Sequence, residues 1–286
     1  MRTVKLTMAY DGTEFAGWQR QKDQPSVQQT LEEALARVLH RKTVVLGAGR
    51  TDRGVHAFGQ VAAFRTSARI PAERIPAALN VHLPPSVRVF EASDAPPRFH
   101  PCLSATGKHY RYTLLLEDKA PPLMRNFVVP VRFKLDLDAM VQAASHMVGR
   151  RDWRAFKTRA KGQEFYQTVK DVRALLLRKS GPFLLIDFLG SGFLYKQVRT
   201  MVGTLLEVGR GRFSPQQVAE ILASGDRTRA GPTAPPHGLC LMQVFYGPVK
   251  PEWWETQGPA VWVLPPQSVE KHFVSADKGV GTRGAP

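Results

Sequence analysis

"SVQQTLEEALARVLH", residues 26–40, opens on a serine with a glutamine three places later, then sets Val27, Leu31, Ala34, Leu35 and Val38 at helical spacing. Ser-x-x-Gln is the signature of a capping box, and the apolar positions share one face of a 3.6-residue period. The stretch therefore predicts an amphipathic helix. Ahead of it, "TVKLTMAY" (3–10) alternates and stops at Asp11-Gly12, a strand followed by a turn. Behind it come a short strand at "TVVLG" (43–47), a glycine-rich loop, a strand at "FGQVAAFRT" (58–66), a helix around "IPAALN" (75–80) and a strand at "SVRVFEA" (86–92). The order is β-α-β-β-α-β.

Residues 93–107, "SDAPPRFHPCLSATG", hold three prolines without periodicity and read as a connector. A second, elaborated set of elements follows. "HYRYTLLLE" (109–117) predicts a strand with Tyr110, Tyr112, Leu114 and Leu116 on one face, and "LDLDAMVQAASHMVG" (135–149) a helix. "VRALLLRK" and "FLLIDFLG" form a strand pair around Ser180-Gly181. "FLYKQVRTMVGTLLEV" (193–208) and a stretch opening at Ser214-Pro215-Gln216-Gln217 predict helices, and "LCLMQVFY" (239–246) a last strand. The expected class is α+β with antiparallel sheets. The expected division is a half at 1–105 carrying the glycine-rich loop, an elaborated half at 106–247, and a mobile Pro/Gly-rich extension at 248–286. In that extension Trp253 and Trp254 are placed either to tack the tail onto the body or to stack on bases.

The 40 Lys+Arg exceed the 24 Asp+Glu in a chain of 286 residues, giving a net charge of +16. A polyanion, nucleic acid before an anionic membrane, is the partner such a surface attracts. Cys102 and Cys240 lack CxxC spacing, which argues against a zinc cluster and a secreted disulfide framework. No apolar run approaches the roughly 18 residues that span a bilayer, so a soluble cytoplasmic protein is expected. The chain has no GxSxG, GxxxxGK[ST] or HExxH, and no GxGxxG between a strand and a helix.

One acidic side chain, Asp52, stands between Arg50 and Arg53 in "GAGRTDRGVHAF" (47–58), among Gly47, Gly49 and Gly54. Flanking guanidinium groups favour its ionised form, which suits a nucleophile or base. The glycines allow tight turns and close approach by something bulky. The plainer alternative is a solvated salt-bridge cluster. On the helix at 193–208, Arg199 shares a stripe with Tyr195, Val202 and Leu206 beside the core stripe Leu194, Val198, Met201, Leu205 and Val208. A partly buried guanidinium there needs an anion or an exit to water. Tyr110 reads as a core aromatic or as a platform for an unstacked base. A non-catalytic basic RNA-binding or RNA-chaperone protein stays open beside an enzyme on these observations alone.

The blocks "MAYDGTEFAGWQRQ", "SVQQTLEEAL", "GAGRTDRGVHAFGQVAAF", "ALNVHLPPSVRV", "FHPCLSATGKHYRY", "FLYKQVRTMVGTLLEVGRG" and "APPHGLCLMQVFY" resemble, in order, those of the bacterial tRNA pseudouridine synthase A family, over about residues 2–247. The resemblance implies isomerisation of uridine to pseudouridine at positions 38, 39 and 40 of tRNA, without cofactor or metal. It implies two RNA-recognition-like (ferredoxin-like) halves whose antiparallel sheets join into one, with helices on one side and a cleft between the halves. It also implies a homodimer acting on tRNA, with no membrane and no DNA as partner. Residue by residue, Asp52 matches the catalytic nucleophile, acting at C1′ or as a base at C2′. Arg199 matches the arginine paired with it, Tyr110 the tyrosine that packs on the target base, and Arg50 the arginine that helps drive the nucleotide out. Arg53, where alanine is frequent in the family, adds a phosphate contact. His56, four residues past Asp52, is placed with these substrate-binding residues. Cys240 stands where the family commonly has tyrosine.

Overall fold

The computed structural model describes residues 1–158 and 167–249, and the backbone of 269–275. The expected tail residues Trp253 and Trp254 lie outside these, as does all of the expected extension beyond Val249 except one strand. The chain is mixed α+β, with mostly antiparallel strand pairing and five α-helices among the described residues. It divides into two compact units, Met1–Lys108 with Leu239–Val249, and His109–Gly238 with the later chain.

The first unit runs β1 (Arg2–Tyr10), α1 (Val27–Leu39), β2 (Leu46–Gly47), β3 (His56–Thr66), α2 (Ile75–Asn80) and β4 (Val87–Ala95). β1 lies between β3 and β4, antiparallel to both, and β2 pairs with β3 at Ala62 and Ala63. A late strand, β10 (Leu239–Phe245), returns here and runs parallel to β3 at its His56–Ala57 end. Alternate residues of β1 (Val4, Leu6, Met8, Tyr10) are buried, as are Val27, Leu31, Ala34 and Leu35 of α1 and Ile75 and Leu79 of α2. Each such Val, Leu, Ile or Met side chain contributes about 1.5–3 kcal/mol by leaving water. Ser26 caps α1 by accepting from the Gln29 amide, but the Gln29 side chain donates to Glu33, so the box is half made. The strand expected at 43–47 shrinks to two residues, with Val44 exposed.

The second unit holds β5 (Gly107–Leu115), most of which lies past the division, then β6 (Val129–Pro130), α3 (Leu137–His146), β7 (Gly149–Asp152), β8 (Val169–Ser180), β9 (Phe183–Gly190), α4 (Gln197–Gly209) and α5 (Pro215–Ser224). β11 (Val269–Ser275) pairs antiparallel with β8, giving the strand order β11-β8-β9-β5. β8 and β9 form a tight hairpin because Gly181, at φ +55°, takes the left-handed first turn position and Pro182 supplies the second. α4 is buried nearly all round, including Val198, Met201, Val202, Leu205 and Val208. It begins at Gln197, later than its periodicity predicts, because Lys196 takes a left-handed conformation (φ +60°) that interrupts the helix. α5 carries a complete capping box from Ser214 and Gln217.

β5 was expected to present one apolar face, and both its faces are buried. Opposite Tyr110 and Tyr112, His109 and Arg111 reach Asp187 of β9 at 2.7 Å each, and Arg178 of β8 reaches the same carboxylate at 3.1 Å. All four side chains are buried. Burial alone would raise the Asp187 carboxyl, but Arg111 and His109 hold it far below the usual range. Burial lowers His109, overriding its bond to Asp187, so the ring is neutral and the cluster keeps a net positive charge.

Asp187→Asn leaves two buried guanidinium groups without their counter-charge. It is expected to cost about 3–5 kcal/mol in urea denaturation at pH 7. The folded value of Asp187 lies below its unfolded value of about 3.9, so its stabilisation is full above that pH and is lost as acid carries the pH toward the folded value. His109, lowered from about 6.5, adds a loss that begins below that pH. Wild-type stability should therefore fall from about pH 6.5 downward, and Asp187→Asn should show a shallower slope below about pH 4.

Candidate active site

In the first unit, the chain from Gly47 to His56 leaves β2 and enters β3 as a loop fastened at several points. The Ala48 amide donates to Val61 O (2.7 Å), and the Trp18 amide donates to Thr51 O (3.1 Å). Gly17 and Asp52 form an isolated antiparallel bridge. From Asp52 the backbone turns at once: the Val55 amide donates to Asp52 O at 3.1 Å, across Arg53 and a Gly54 with φ +74°. That is a β-turn with a left-handed third residue, a place for glycine. The turn leaves the Asp52 side chain half-buried, with Arg50 and Arg53 exposed on either side.

The neighbours differ in what they touch. The Arg53 guanidinium donates to Gln24 Oε1. Arg50 makes no hydrogen bond or ion pair among the described residues, so its charge stands open to a ligand. His56 is buried, and its Nδ1 accepts from the Gly12 amide at 3.0 Å, with Asp11 Oδ1 at 3.2 Å. Asp11 Oδ1 accepts from the Thr13 amide and hydroxyl (2.9 and 2.5 Å). His56 thus props the turn after β1.

Sequence reasoning missed what lies beneath the loop. Tyr10 Oη meets Thr51 Oγ1 at 2.8 Å, and Gln60 Nε2 donates to Gly49 O at 2.9 Å and to Tyr10 Oη at 3.3 Å. The only signal was a polar Gln60 inside the run "FGQVAAF". Trp18 was missed too; a Cβ on Gly47 would come within 2.5 Å of its ring.

In the second unit Tyr110 is 8% exposed and meets the Phe193 ring edge-on, centroids 5.4 Å apart at 89°. Phe193 precedes α4 and was not singled out from the sequence. Arg199 is half-buried, as its stripe implied. Its Nε donates to Ala234 O (2.8 Å), and the Ala234 amide donates back to Arg199 O (3.0 Å). The segment 230–235 is clipped to α4 further along: the Gly231 amide donates to Thr204 Oγ1 at 3.0 Å, and a Cβ on Gly203 would lie 1.7 Å from Pro232 O. Asp52, Arg50, Arg53 and His56 thus share the first unit, while Tyr110 and Arg199 belong to the second. Among the described residues no group of three or more His, Cys, Asp or Glu is placed to hold a metal ion, and no helix is long and apolar enough to cross a membrane.

The chain matches the sequence profile of a family described as tRNA pseudouridine synthase over residues 6–102 and 143–247. Asp52, Arg50, Arg53, His56 and Arg199 lie inside the matched blocks, and Tyr110 lies between them. The chain is similar to tRNA pseudouridine synthase A of Geobacter sp. (strain M21), 47% identical over 247 residues covering 86% of this chain and 99% of the relative. The protein of that name from Thermoanaerobacter pseudethanolicus is 42% identical over 246 residues, covering 86% of this chain and all of the relative (100%). tRNA pseudouridine synthase A 2 of Clostridium perfringens (strain 13 / Type A) is 40% identical over 246 residues, with the same 86% and 100% coverage.

Gly17, at φ +112°, sits where a Cβ would come 2.5 Å from Thr51 O. Gly17→Ala adds backbone strain of about 1–3 kcal/mol to that collision. It should lower the denaturation midpoint and raise amide exchange at Trp18 and Val55, and unchanged exchange there would show that the bridge does not hold the loop.

Proposed function

The chain belongs to the tRNA pseudouridine synthase family and converts uridine to pseudouridine in tRNA; from that premise we propose that it acts at positions 38, 39 and 40 of the anticodon stem and loop, with Asp52 as nucleophile. The observation that carries the residue assignment is the fastened turn that holds Asp52 half-buried two residues after an exposed Arg50.

The reaction asks little of a parts list. Asp52 attacks C1′ of the extruded uridine and the N1–C1′ bond breaks, its electron pair leaving with the uracil. The retained base turns to offer C5, the C5–C1′ bond forms as the carboxylate leaves, the C5 proton is removed and N1 gains a proton. The product is therefore an isomer, with no atom lost. Tyr110 holds the base and assists the C5 proton's departure. Arg199 takes the part of the arginine that orients this carboxylate, as the family resemblance implies.

A uridine in or beside a stem must first leave its stack, at a cost of roughly a few kcal/mol. Arg50 and Arg53 meet this by engaging the displaced backbone, while His56 supports the turn from below. The wider positive surface supplies phosphate contacts whose strength falls as salt rises. The proposal also includes two RNA-recognition-like halves with a cleft between them, a homodimer as the working form and a cytoplasmic location, all carried by the family resemblance alone.

Tritium at C5 of uridine in unmodified tRNA is expected to be released by the wild type, and at least about 10³-fold more slowly by Asp52→Asn. Equal release by both would remove Asp52 from the chemistry, and no release by either would leave a protein that only binds RNA. Arg199→Ala should lose turnover by about 10²-fold or more with tRNA affinity nearly kept. A fall confined to affinity would place Arg199 on the RNA instead.

A further inference from the structure

We propose that the buried cluster of Tyr10, Gln60 and Thr51 is a positioning device for the reaction: it locks the backbone on both sides of Arg50 so that Asp52 is delivered at one fixed place and angle. The proposal rests on Asp52 being the reacting carboxylate.

The three side chains come from three elements. Tyr10 ends β1, Gln60 lies inside β3, and Thr51 immediately precedes Asp52; they are 4%, 0% and 7% exposed. The Gln60 amide has two protons and two acceptors for them, Gly49 O (2.9 Å) and Tyr10 Oη (3.3 Å). Tyr10 Oη then meets Thr51 Oγ1 at 2.8 Å. Burial raises the Tyr10 phenol well above its ordinary range, so it keeps its proton and stays a donor. The chain of bonds runs Gln60 to Tyr10 to Thr51, with a side branch to Gly49.

Packing does not demand this. Phe, Leu and Val would fill the same space beneath the loop with fewer polar atoms to satisfy. Buried polar groups earn their place by specificity: a shifted loop would leave the phenol and the amide without partners, so one arrangement is favoured over its neighbours. The bonds land on the carbonyl of residue 49 and the hydroxyl of residue 51, while the Thr51 carbonyl is taken by Trp18 (3.1 Å). Thr51 is thereby held from both its backbone and its side chain, one residue before the carboxylate. A displacement of about 1 Å in such a group costs roughly 10²-fold in rate.

Threonine and valine have nearly the same shape, so Thr51→Val deletes the hydroxyl alone, and Thr51→Ser keeps it. Tyr10→Phe removes the other end of the same bond. With the full chain and unmodified tRNA, at a temperature where melting curves show every variant folded, Thr51→Val and Tyr10→Phe are each expected to lower kcat by roughly 10- to 100-fold. KM and tRNA affinity should stay within about 2-fold, and Thr51→Ser should restore kcat to within about 3-fold of wild type. Asp52→Asn runs alongside. If it stays active, the reading of Asp52 fails. If it is inactive while Thr51→Val and Tyr10→Phe keep wild-type kcat, or lose affinity in step with rate, the positioning role is overturned. Failure of both variants to fold would assign the cluster to stability alone and overturn it too.

Discussion

The loop that carries Asp52 depends first on one contact, the isolated bridge between Gly17 and Asp52. The two residues lie 35 positions apart in sequence, and much of the first unit serves to bring them together. α1 is tied to the same segment, since the Val27 and Gln28 amides donate to the carbonyls of Gly17 and Trp18. Trp18 fills the space that the missing side chain of Gly47 leaves. The helix, the bridge and the turn at Gly54 are therefore consecutive supports of one loop, and Gly17 fits its place because it has no Cβ to strike Thr51 O.

Polar groups inside this protein follow one pattern. Gln60 beneath the loop and Asp187 in β9 each interrupt an apolar strand; Gln60 is satisfied by the Gly49 carbonyl and the Tyr10 hydroxyl, Asp187 by side chains of neighbouring strands. Burying such groups costs more than burying leucine, so their return is in specificity of arrangement. Asp187 ties β5, β8 and β9 together on the face opposite Tyr110, fixing the register of the strand that carries the aromatic. Gln60 does the same for the loop that carries Asp52.

Much of this was legible in the sequence, where the signal is local. The Ser26 cap and the spacing of Leu31 and Leu35 gave α1, alternation in "TVKLTMAY" gave β1, and the break at Ser180-Gly181 gave the β8–β9 strand pair. The stripe around Arg199 gave its partial burial. What stayed hidden depends on contacts between distant residues. Nothing in "HYRYTLLLE" says that its second face meets an aspartate 76 residues downstream of Arg111. Nor does the short range reveal that "LCLMQVFY" runs parallel to β3 at His56. The late start of α4 and the shrinkage of β2 are boundary effects, set by Lys196 in the left-handed region and by the exposure of Val44. The Asp52 loop was legible as a pattern of residue types, and its fastening was not.

The most direct test of the central claim is nucleotide-resolution chemical mapping of pseudouridine on unmodified tRNA incubated with the purified chain or with its Asp52→Asn form. Pseudouridine at positions 38, 39 and 40, made by the wild type and absent with the variant, is the expected result. Modification that persists with asparagine at position 52, or that falls at other positions, would contradict it.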